Sequence, residues 1–228
     1  MSSELNEVKN NKSPYVDLSN SFSKPKKVRY DLFYDNARKK EKSIITDLFY
    51  TVMSTTLKCE CNKESYIFQE LLDIPLLIPE NTNNTDIISL LRNFFKKDSV
   101  EKHCDACKEQ KKFSQKNKIA RPPEILIISI QRFTDINDKN ECNVNFNEIL
   151  DINEFIDRDC GYNQDSLYSL FGIINHKGYL YFGHYYSYIK INNQDWYEFN
   201  DENVKPIDND LSKCDTSKPY ILFYVRIQ

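Results

Sequence analysis

His184 and Asn200 are the residues of this chain whose types and spacing best fit catalysis. His184 lies in the segment YFGHYYSYIKI, Asn200 ends the segment DWYEFN, and the turn-forming stretch NNQD connects the two. If these segments are neighbouring antiparallel strands, the two side chains lie within reach of each other. The Asn200 oxygen can then accept a hydrogen bond from the imidazole and fix its tautomer, which is the task of the third member of a catalytic triad. The pattern predicts general-base chemistry at His184.

Glycine is concentrated around this histidine. The chain has only four glycines, and Gly172, Gly178 and Gly183 all lie shortly before His184. Glycine inside a strand usually marks a bulge or the close approach of another backbone. Gly183 would let an extended substrate lie against the strand while the imidazole projects towards it. The alternative is a core histidine satisfied by one hydrogen bond, with glycines that serve hairpin turns; the presence of Asn200 favours chemistry.

Four of the seven cysteines form two closely spaced pairs, which predicts a metal site. The pairs are Cys59-x-Cys61 and Cys104-x-x-Cys107, and each follows an extended segment. Four thiolates can bind one zinc ion tetrahedrally, and such a site would hold together two thin β-fingers that have little core of their own. The single-residue spacer of the first pair is unusual, and the alternative is four unrelated thiols. We expect structural zinc, with His103 as a bystander.

The other three cysteines are interpreted as ordinary thiols. Cys142, Cys160 and Cys214 have no partner at metal-binding spacing and lie in polar, loop-like stretches. None stands at a predicted helix start, where the thiol pKa would be lowered. None is therefore expected to act as a nucleophile.

An antiparallel sheet is predicted to carry His184 and Asn200. The aromatic, alternating segments YSLFGIINH, YLYFGHYYSYIKI, DWYEF and PYILFYVRI are separated by turns. The run EILIISIQRF predicts a further strand that is buried on both faces. Helix-bearing segments come first and strand-rich segments last, which indicates an α+β fold.

The remaining segments are predicted to be shorter and more varied. A helix is predicted to begin near Thr85, because the apolar residues from Ile87 to Phe95 recur at helical spacing. Another helix is predicted over 30–42, a strand entry over 44–56, an extended segment over 69–78 and a loop-rich excursion over 134–165. Residues 1–28 are polar and are predicted to form a disordered lead-in.

Composition and charge exclude several classes of partner. The net charge is -3 with a pI near 5.7, whereas nucleic acids and anionic membranes are bound by clustered basic charge, so a zinc-ribbon nucleic-acid binder is disfavoured. No apolar run is long enough to cross a membrane, and the first residues, MSSELNEVKNNKS, lack the apolar centre of a signal peptide. We therefore expect a protein of the cytoplasm or nucleus, where cysteines stay reduced.

Several long stretches resemble the ubiquitin-specific proteases. YSLFGIINHKG, GHYYSYIK, WYEFNDENVKPI and PYILFYVRI resemble that family's histidine box and final strands. SIITDLFYTVMSTTLKCECNKES resembles its entry into the fingers, and HCDACKEQKKFSQKNKIARPPEILIISIQRF resembles its second cysteine knuckle and the strand that follows. The resemblance extends over residues 43–228.

The resemblance implies a papain-like α+β fold and a hydrolase activity. A partial catalytic domain would occupy residues 29–228, lacking most of the thumb, with fingers around 57–120 and a palm mostly within 121–228. His184 would be the general base, Asn200 the third triad member and Asp201 the neighbouring acidic residue that supports the site. The implied reaction is cysteine-type cleavage after the C-terminus of ubiquitin, so ubiquitin and ubiquitinated proteins are the expected partners.

The nucleophile is the part of the family pattern that this chain lacks. The family begins with a box of the form G-N-T-C, and no cysteine precedes Cys59 here. Without a thiolate the imidazole has nothing to activate, so we expect the chain alone to be inactive. Two interpretations stay open. The chain is part of a deubiquitinase whose thumb and cysteine come from an upstream segment, or it is a non-catalytic ubiquitin-binding or scaffold module.

Overall fold

The computed structural model describes residues 5–8, 24–135, 138–179, 181–192, 194–209, 211 and 214–227. The chain divides into two compact units that alternate along the sequence. The first unit comprises Met1–Leu72, Phe95–Glu124 and Ile152–Asp165, and the second comprises Asp73–Phe94, Ile125–Asp151 and Ser166–Gln228.

Strands dominate both units. The α-helices of the described residues are α1 (Lys26–Lys40), α2 (Ile44–Phe49) and α3 (Ile87–Phe94), and short 3-10 turns span Asn153–Phe155 and Arg158–Cys160. The strands are β1 (Thr51–Cys59), β2 (Glu64–Leu71), β3 (Ile74–Leu77), β4 (Asn84–Asp86), β5 (Asp98–Cys104), β6 (Glu109–Arg121), β7 (Ile125–Gln131), β8 (Phe133–Asp135), β9 (Asp138–Lys139), β10 (Asn143–Asn145), β11 (Ile149–Asp151), β12 (Leu167–Gly178), β13 (Gly183–Ile191), β14 (Asp195–Asn200), β15 (Asn203–Pro206) and β16 (Pro219–Ile227).

The first unit is built on a four-stranded antiparallel sheet with the order β2-β1-β6-β5. Because strand side chains alternate between faces, the Leu57, Cys59 and Phe113 side chains share one face and form a small buried cluster with Cys104. A second cluster lies around Val52 and is covered by aromatic residues of α1. The predicted fingers, around 57–120, stay a prediction; the sheet that contains this range begins earlier, with β1 at Thr51.

Two predicted element boundaries near the N-terminus are wrong. Helix α1 begins at Lys26, whereas a start at Tyr30 was expected. The segment Ile44–Phe49 is helical, not the entry to a strand, because Ser43 and Thr46 form a reciprocal capping box. The predicted lead-in lies largely outside the described residues, although its last residues from Lys26 belong to α1.

The second unit is built on a large sheet that contains the predicted C-terminal strands. Its order is β15-β14-β13-β12-β16-β7-β3, with β11 also paired to β12. All neighbours are antiparallel except β3 and β7, which run parallel. Strand β7 is not buried on both faces as predicted. Its residues alternate between buried and half-buried, so one face meets the core and the other is partly open.

The remaining predicted elements agree better with the structure. Helix α3 begins at Ile87 and is capped by Asp86, whose carboxylate accepts a 2.9 Å hydrogen bond from the Ser89 amide. The excursion over 134–165 contains short strands and turns, as expected. The extended segment over 69–78 is divided between the end of β2 and β3. Within the described part of the chain, no helix has the length and apolarity that a membrane crossing requires.

Candidate active site and metal centre

His184 and Asn200 meet at one end of the β13–β14 hairpin. Strand β13 begins at Gly183 and the antiparallel strand β14 ends at Asn200, so both side chains emerge at the same edge. The distance between His184 Nε2 and Asn200 Oδ1 is 2.6 Å. The sequence prediction that these two side chains face each other is therefore correct in its geometry.

The hydrogen bond decides which imidazole nitrogen remains free. An amide oxygen can only accept, so Nε2 of His184 must carry the proton and donate it to Asn200. In a neutral imidazole the other nitrogen, Nδ1, then holds a lone pair. Nearly half of the His184 side chain, 47%, is exposed, so a reacting group can approach it from solvent. The pair can thus take a proton at Nδ1 while the ring orientation stays fixed.

Asp201 follows Asn200 in the tight turn between β14 and β15. The turn is closed by the pairing of Asn200 with Asn203, and Asp201 adopts the left-handed conformation with φ of 52°, which aspartate tolerates better than most residues. Its carboxylate lies 4.0 Å from His184 Nε2 and is 76% exposed. At this distance and exposure its ionic contact with the imidazole is weak.

His176 is a second histidine beside this site, and it differs from His184 in burial. It lies on β12 and is 1% exposed. Its ring stands against Gly183, where a β-carbon would overlap its Nε2. The sequence prediction gave this histidine no role, although its position across the hairpin from Tyr185 could have been read from the spacing of the turn.

Exposed aromatic residues lie close to His184 in the chain. Tyr181, Phe182 and Tyr185 are 70%, 87% and 53% exposed. Such exposed rings so close together are unusual on a protein surface and favour contact with another molecule.

Two of the three cysteines outside the two pairs have thiols that resist ionisation. Burial raises the pKa of Cys142 and raises the pKa of Cys160 to about 12. Cys214 is half-buried. At neutral pH, Cys142 and Cys160 therefore hold little thiolate, which agrees with their interpretation as ordinary thiols.

The two cysteine pairs come together in the first unit. The Sγ atoms of Cys59, Cys61, Cys104 and Cys107 all lie within 4.8 Å of one another. Each pair sits on a tight turn that follows a strand, and the turns contain Asn62 and Lys108 in the left-handed conformation, with φ of 67° and 61°. His103 is exposed and lies outside this group of ligand atoms.

The four thiols fit a tetrahedral metal ion. Metal–sulfur bonds of about 2.3 Å place tetrahedral sulfurs about 3.8 Å apart, and the sulfurs of Cys61 and Cys104 are 3.8 Å apart. The backbone amides of Cys107 and Ala106 lower the pKa of the Cys104 thiol to about 6, whereas the hydrogen bonds with the Cys61 and Cys104 thiols raise the pKa of Cys107. Cys59 and Cys104 are buried, so the site is closed on one side and open on the other.

Comparison with known proteins places these features in a family. The model of the family described as ubiquitin carboxyl-terminal hydrolase matches residues 2–224. Ubiquitin carboxyl-terminal hydrolase 4 of Saccharomyces cerevisiae (strain YJM789) is 32% identical in an alignment of 209 residues; the match covers 81% of this chain and 22% of that protein. Ubiquitin carboxyl-terminal hydrolase 2 of Gallus gallus is 31% identical in an alignment of 198 residues; the match covers 82% of this chain and 54% of that protein.

A solved structure shares the fold. The SAGA Ubp8/Sgf11/Sus1/Sgf73 DUB module bound to ubiquitin aldehyde aligns with a TM-score of 0.71 and 24% identity, over 88% of this chain and 46% of the other. This likeness establishes a mixed α+β fold of the same kind. The chain spans about a fifth to a half of the length of the curated relatives described above.

Proposed function

Because this chain belongs to the ubiquitin carboxyl-terminal hydrolase family, we propose that it forms the part of a cysteine-type deubiquitinase that carries the general base. His184 is the base and Asn200 orients it. The observation that supports this role is the 2.6 Å hydrogen bond from His184 Nε2 to the Asn200 oxygen. The proposed substrates are ubiquitinated proteins, cleaved at the peptide or isopeptide bond after the C-terminus of ubiquitin.

The proposed chemistry needs a thiol near Nδ1 of His184. Nδ1 takes the proton of that thiol, and the thiolate attacks the carbonyl carbon of the scissile bond. The imidazolium then gives this proton to the leaving amine, and water releases ubiquitin from the thioester. Asn200 keeps the ring in place during both transfers, and Asp201 adds weak stabilisation of the imidazolium.

The nucleophile itself is proposed to come from an upstream thumb segment outside these 228 residues. Four of the seven cysteines form the metal cluster. Of the others, Cys142 and Cys160 have raised thiol pKa values, and Cys214 lies in a polar stretch. The chain alone is therefore proposed to be inactive.

The metal ion is proposed to be zinc, held by Cys59, Cys61, Cys104 and Cys107. Four thiolate ligands leave no open position, so the ion would be structural. Thiols that must stay reduced support a location in the cytoplasm or nucleus. Neither nucleic acid nor membrane is proposed as a partner.

A ubiquitin-fluorophore assay on the 228-residue chain tests the absence of a nucleophile. We expect no turnover above buffer, and turnover that His184→Ala abolishes would show that one of the seven cysteines is the nucleophile.

The second candidate is a non-catalytic ubiquitin-binding or scaffold module, which the exposed aromatic residues near His184 also fit. Sequencing the transcript upstream of Met1 separates the two, because only the first requires an in-frame cysteine box. If no box is found, calorimetric titration with ubiquitin tests the binding module.

A further inference from the structure

Gly183 and His176 compete for the same space on neighbouring strands. Strands β12 and β13 pair with His176 opposite Tyr185 and Gly178 opposite Gly183. A β-carbon on Gly183 would overlap Nε2 of His176 and lie 2.7 Å from Cε1 and 2.9 Å from Cδ2. The imidazole therefore lies where the side chain of residue 183 would stand. Any residue other than glycine there must displace the ring or the strand.

The His176 ring cannot yield easily, because it is held on its other sides. Its backbone N–H donates to the Lys218 carbonyl at 3.0 Å, and the Lys139 ammonium donates to its carbonyl at 2.6 Å. Aromatic rings surround the imidazole at centroid distances between 4.6 and 5.8 Å; they belong to Tyr185, Phe133 and Tyr220.

The surroundings of the His176 imidazole favour its neutral form. Burial lowers its pKa, the Lys139 ammonium lowers it further, and Glu141 opposes them. Its Nδ1 is buried and has no hydrogen-bond partner among the described residues. The ring thus acts through its shape, as an aromatic filler, more than through hydrogen bonds.

We propose that His176 is a positioning residue for His184. Gly183 directly precedes His184, so the ring that packs on Gly183 fixes the backbone from which His184 reaches Asn200. The catalytic meaning of this role rests on the proposed function, whereas the steric coupling between positions 176 and 183 does not depend on it.

A double-mutant cycle on the full chain tests the coupling. The variants are Gly183→Ala, His176→Ala and the two combined. Gly172→Ala is the matched control, because a β-carbon there would meet Phe223 at an ordinary 3.5 Å. The first measurement is the tautomer of His184, from long-range ¹H–¹⁵N spectra at alkaline pH. The chain has three histidines, so the signals can be assigned by substitution. The second measurement is the thermal midpoint.

We expect wild type and Gly172→Ala to show His184 as the Nε2–H tautomer. Gly183→Ala should lose this single tautomer and lower the midpoint. Adding His176→Ala to it should restore both, because the new methyl group enters the space that the imidazole leaves. The proposal is overturned if Gly183→Ala changes neither the His184 tautomer nor the thermal midpoint. It is also overturned if the double variant restores neither of these relative to Gly183→Ala. An Nδ1–H tautomer in wild type would count against the proposed function, while the midpoints would still report the coupling.

Discussion

At the scale of single residues, the position of one proton on His184 decides which ring nitrogen can act as a base. Asn200 holds the proton of His184 at Nε2, and this leaves Nδ1 as the nitrogen that can accept another. The Asp201 carboxylate, 4.0 Å away and mostly exposed, contributes much less. Orientation by a neutral amide is therefore the main electrostatic feature of the site.

Replacing Asn200 should release the His184 ring. In Asn200→Ala the acceptor is gone, so we expect a mixture of the two neutral tautomers in ¹H–¹⁵N spectra. Asn200→Asp keeps an acceptor and should keep the Nε2–H form. Asn200 is half-buried and His184 is exposed, so neither Asn200 variant should change the thermal midpoint much. A single Nε2–H tautomer in Asn200→Ala would contradict the orienting role.

The sequence allowed the His184–Asn200 contact to be predicted because the two residues flank one short hairpin, where register follows from turn length. It did not allow the contact of His176 with Gly183 to be predicted. That contact depends on which face of β12 the ring occupies and on how far the strands twist, and neither is encoded in residue types alone.

At the scale of elements, two local sets of contacts are expected to stabilise the first unit. The cysteine cluster is the first of them. It joins the turn after β1 to the turn after β5, in a region whose buried apolar cluster is small. Metal removal should therefore destabilise this sheet.

We expect one zinc ion per chain in native mass spectrometry, and its loss in Cys107→Ser. Chelation should lower the thermal midpoint by about 2–4 °C for each kcal/mol of stability lost in a chain of this size. Cys214→Ser, outside the cluster, is the control and should keep the ion. Unchanged metal content in Cys107→Ser would argue against the four-thiolate site.

The second set of contacts is centred on the ion pair between Asp157 and Lys26, which attaches the start of α1 to the sheet. Asp157 is 3% exposed and also accepts a hydrogen bond from the Ser54 hydroxyl. Burial alone would raise the pKa of this carboxyl, but Lys26 and Ser54 together lower it below its usual value. Its stabilisation is thus fully present above the unfolded pKa of about 3.9 and is lost as the pH falls through the lower folded value.

Removing this charge should be costly at neutral pH. Asp157→Asn leaves the Lys26 ammonium without its carboxylate, although it still donates to the Thr56 hydroxyl, and we expect a loss of about 3–5 kcal/mol in the free energy of unfolding by urea. The difference from wild type should shrink as the pH falls below about 4. The neighbouring exposed residue Asp159 provides the control variant Asp159→Asn, which should have little effect. A pH-independent difference would contradict the ionic origin of this contact.

Element types were predicted well where a hydrophobic pattern extends over many residues. They were predicted poorly where a local capping interaction determines whether a segment is a helix or a strand. The apolar stripe of α3 and the alternation of the C-terminal strands are strong patterns, and the element types predicted from them are correct. Residues 44–49 contain β-branched residues, which favour a strand, but the Ser43–Thr46 capping box makes them a helix. Burial of β7 on its second face depends on what packs there, so its sequence predicted the strand but not its half-open face.

At the scale of the whole molecule, the chain alternates between its two units and returns to the first unit twice. The segment 73–94 adds β3 and α3 to the second unit before the chain goes back to complete the sheet of the first. A linear division into fingers and palm, as expected from the sequence, could not include this exchange. The family itself could be recognised, because the motifs around His184 and the cysteine pairs are long and ordered.

The most direct test of the central claim is hydrolysis of a ubiquitin-fluorophore by the protein expressed together with the proposed upstream segment, as read from the transcript. We predict turnover by the wild type and by the control variant His103→Ala, which changes an exposed histidine. His184→Ala should reduce turnover by about 10²- to 10⁴-fold, the usual contribution of a general base. Turnover by His184→Ala equal to that of the wild type, or no turnover by the wild type, would contradict the assignment.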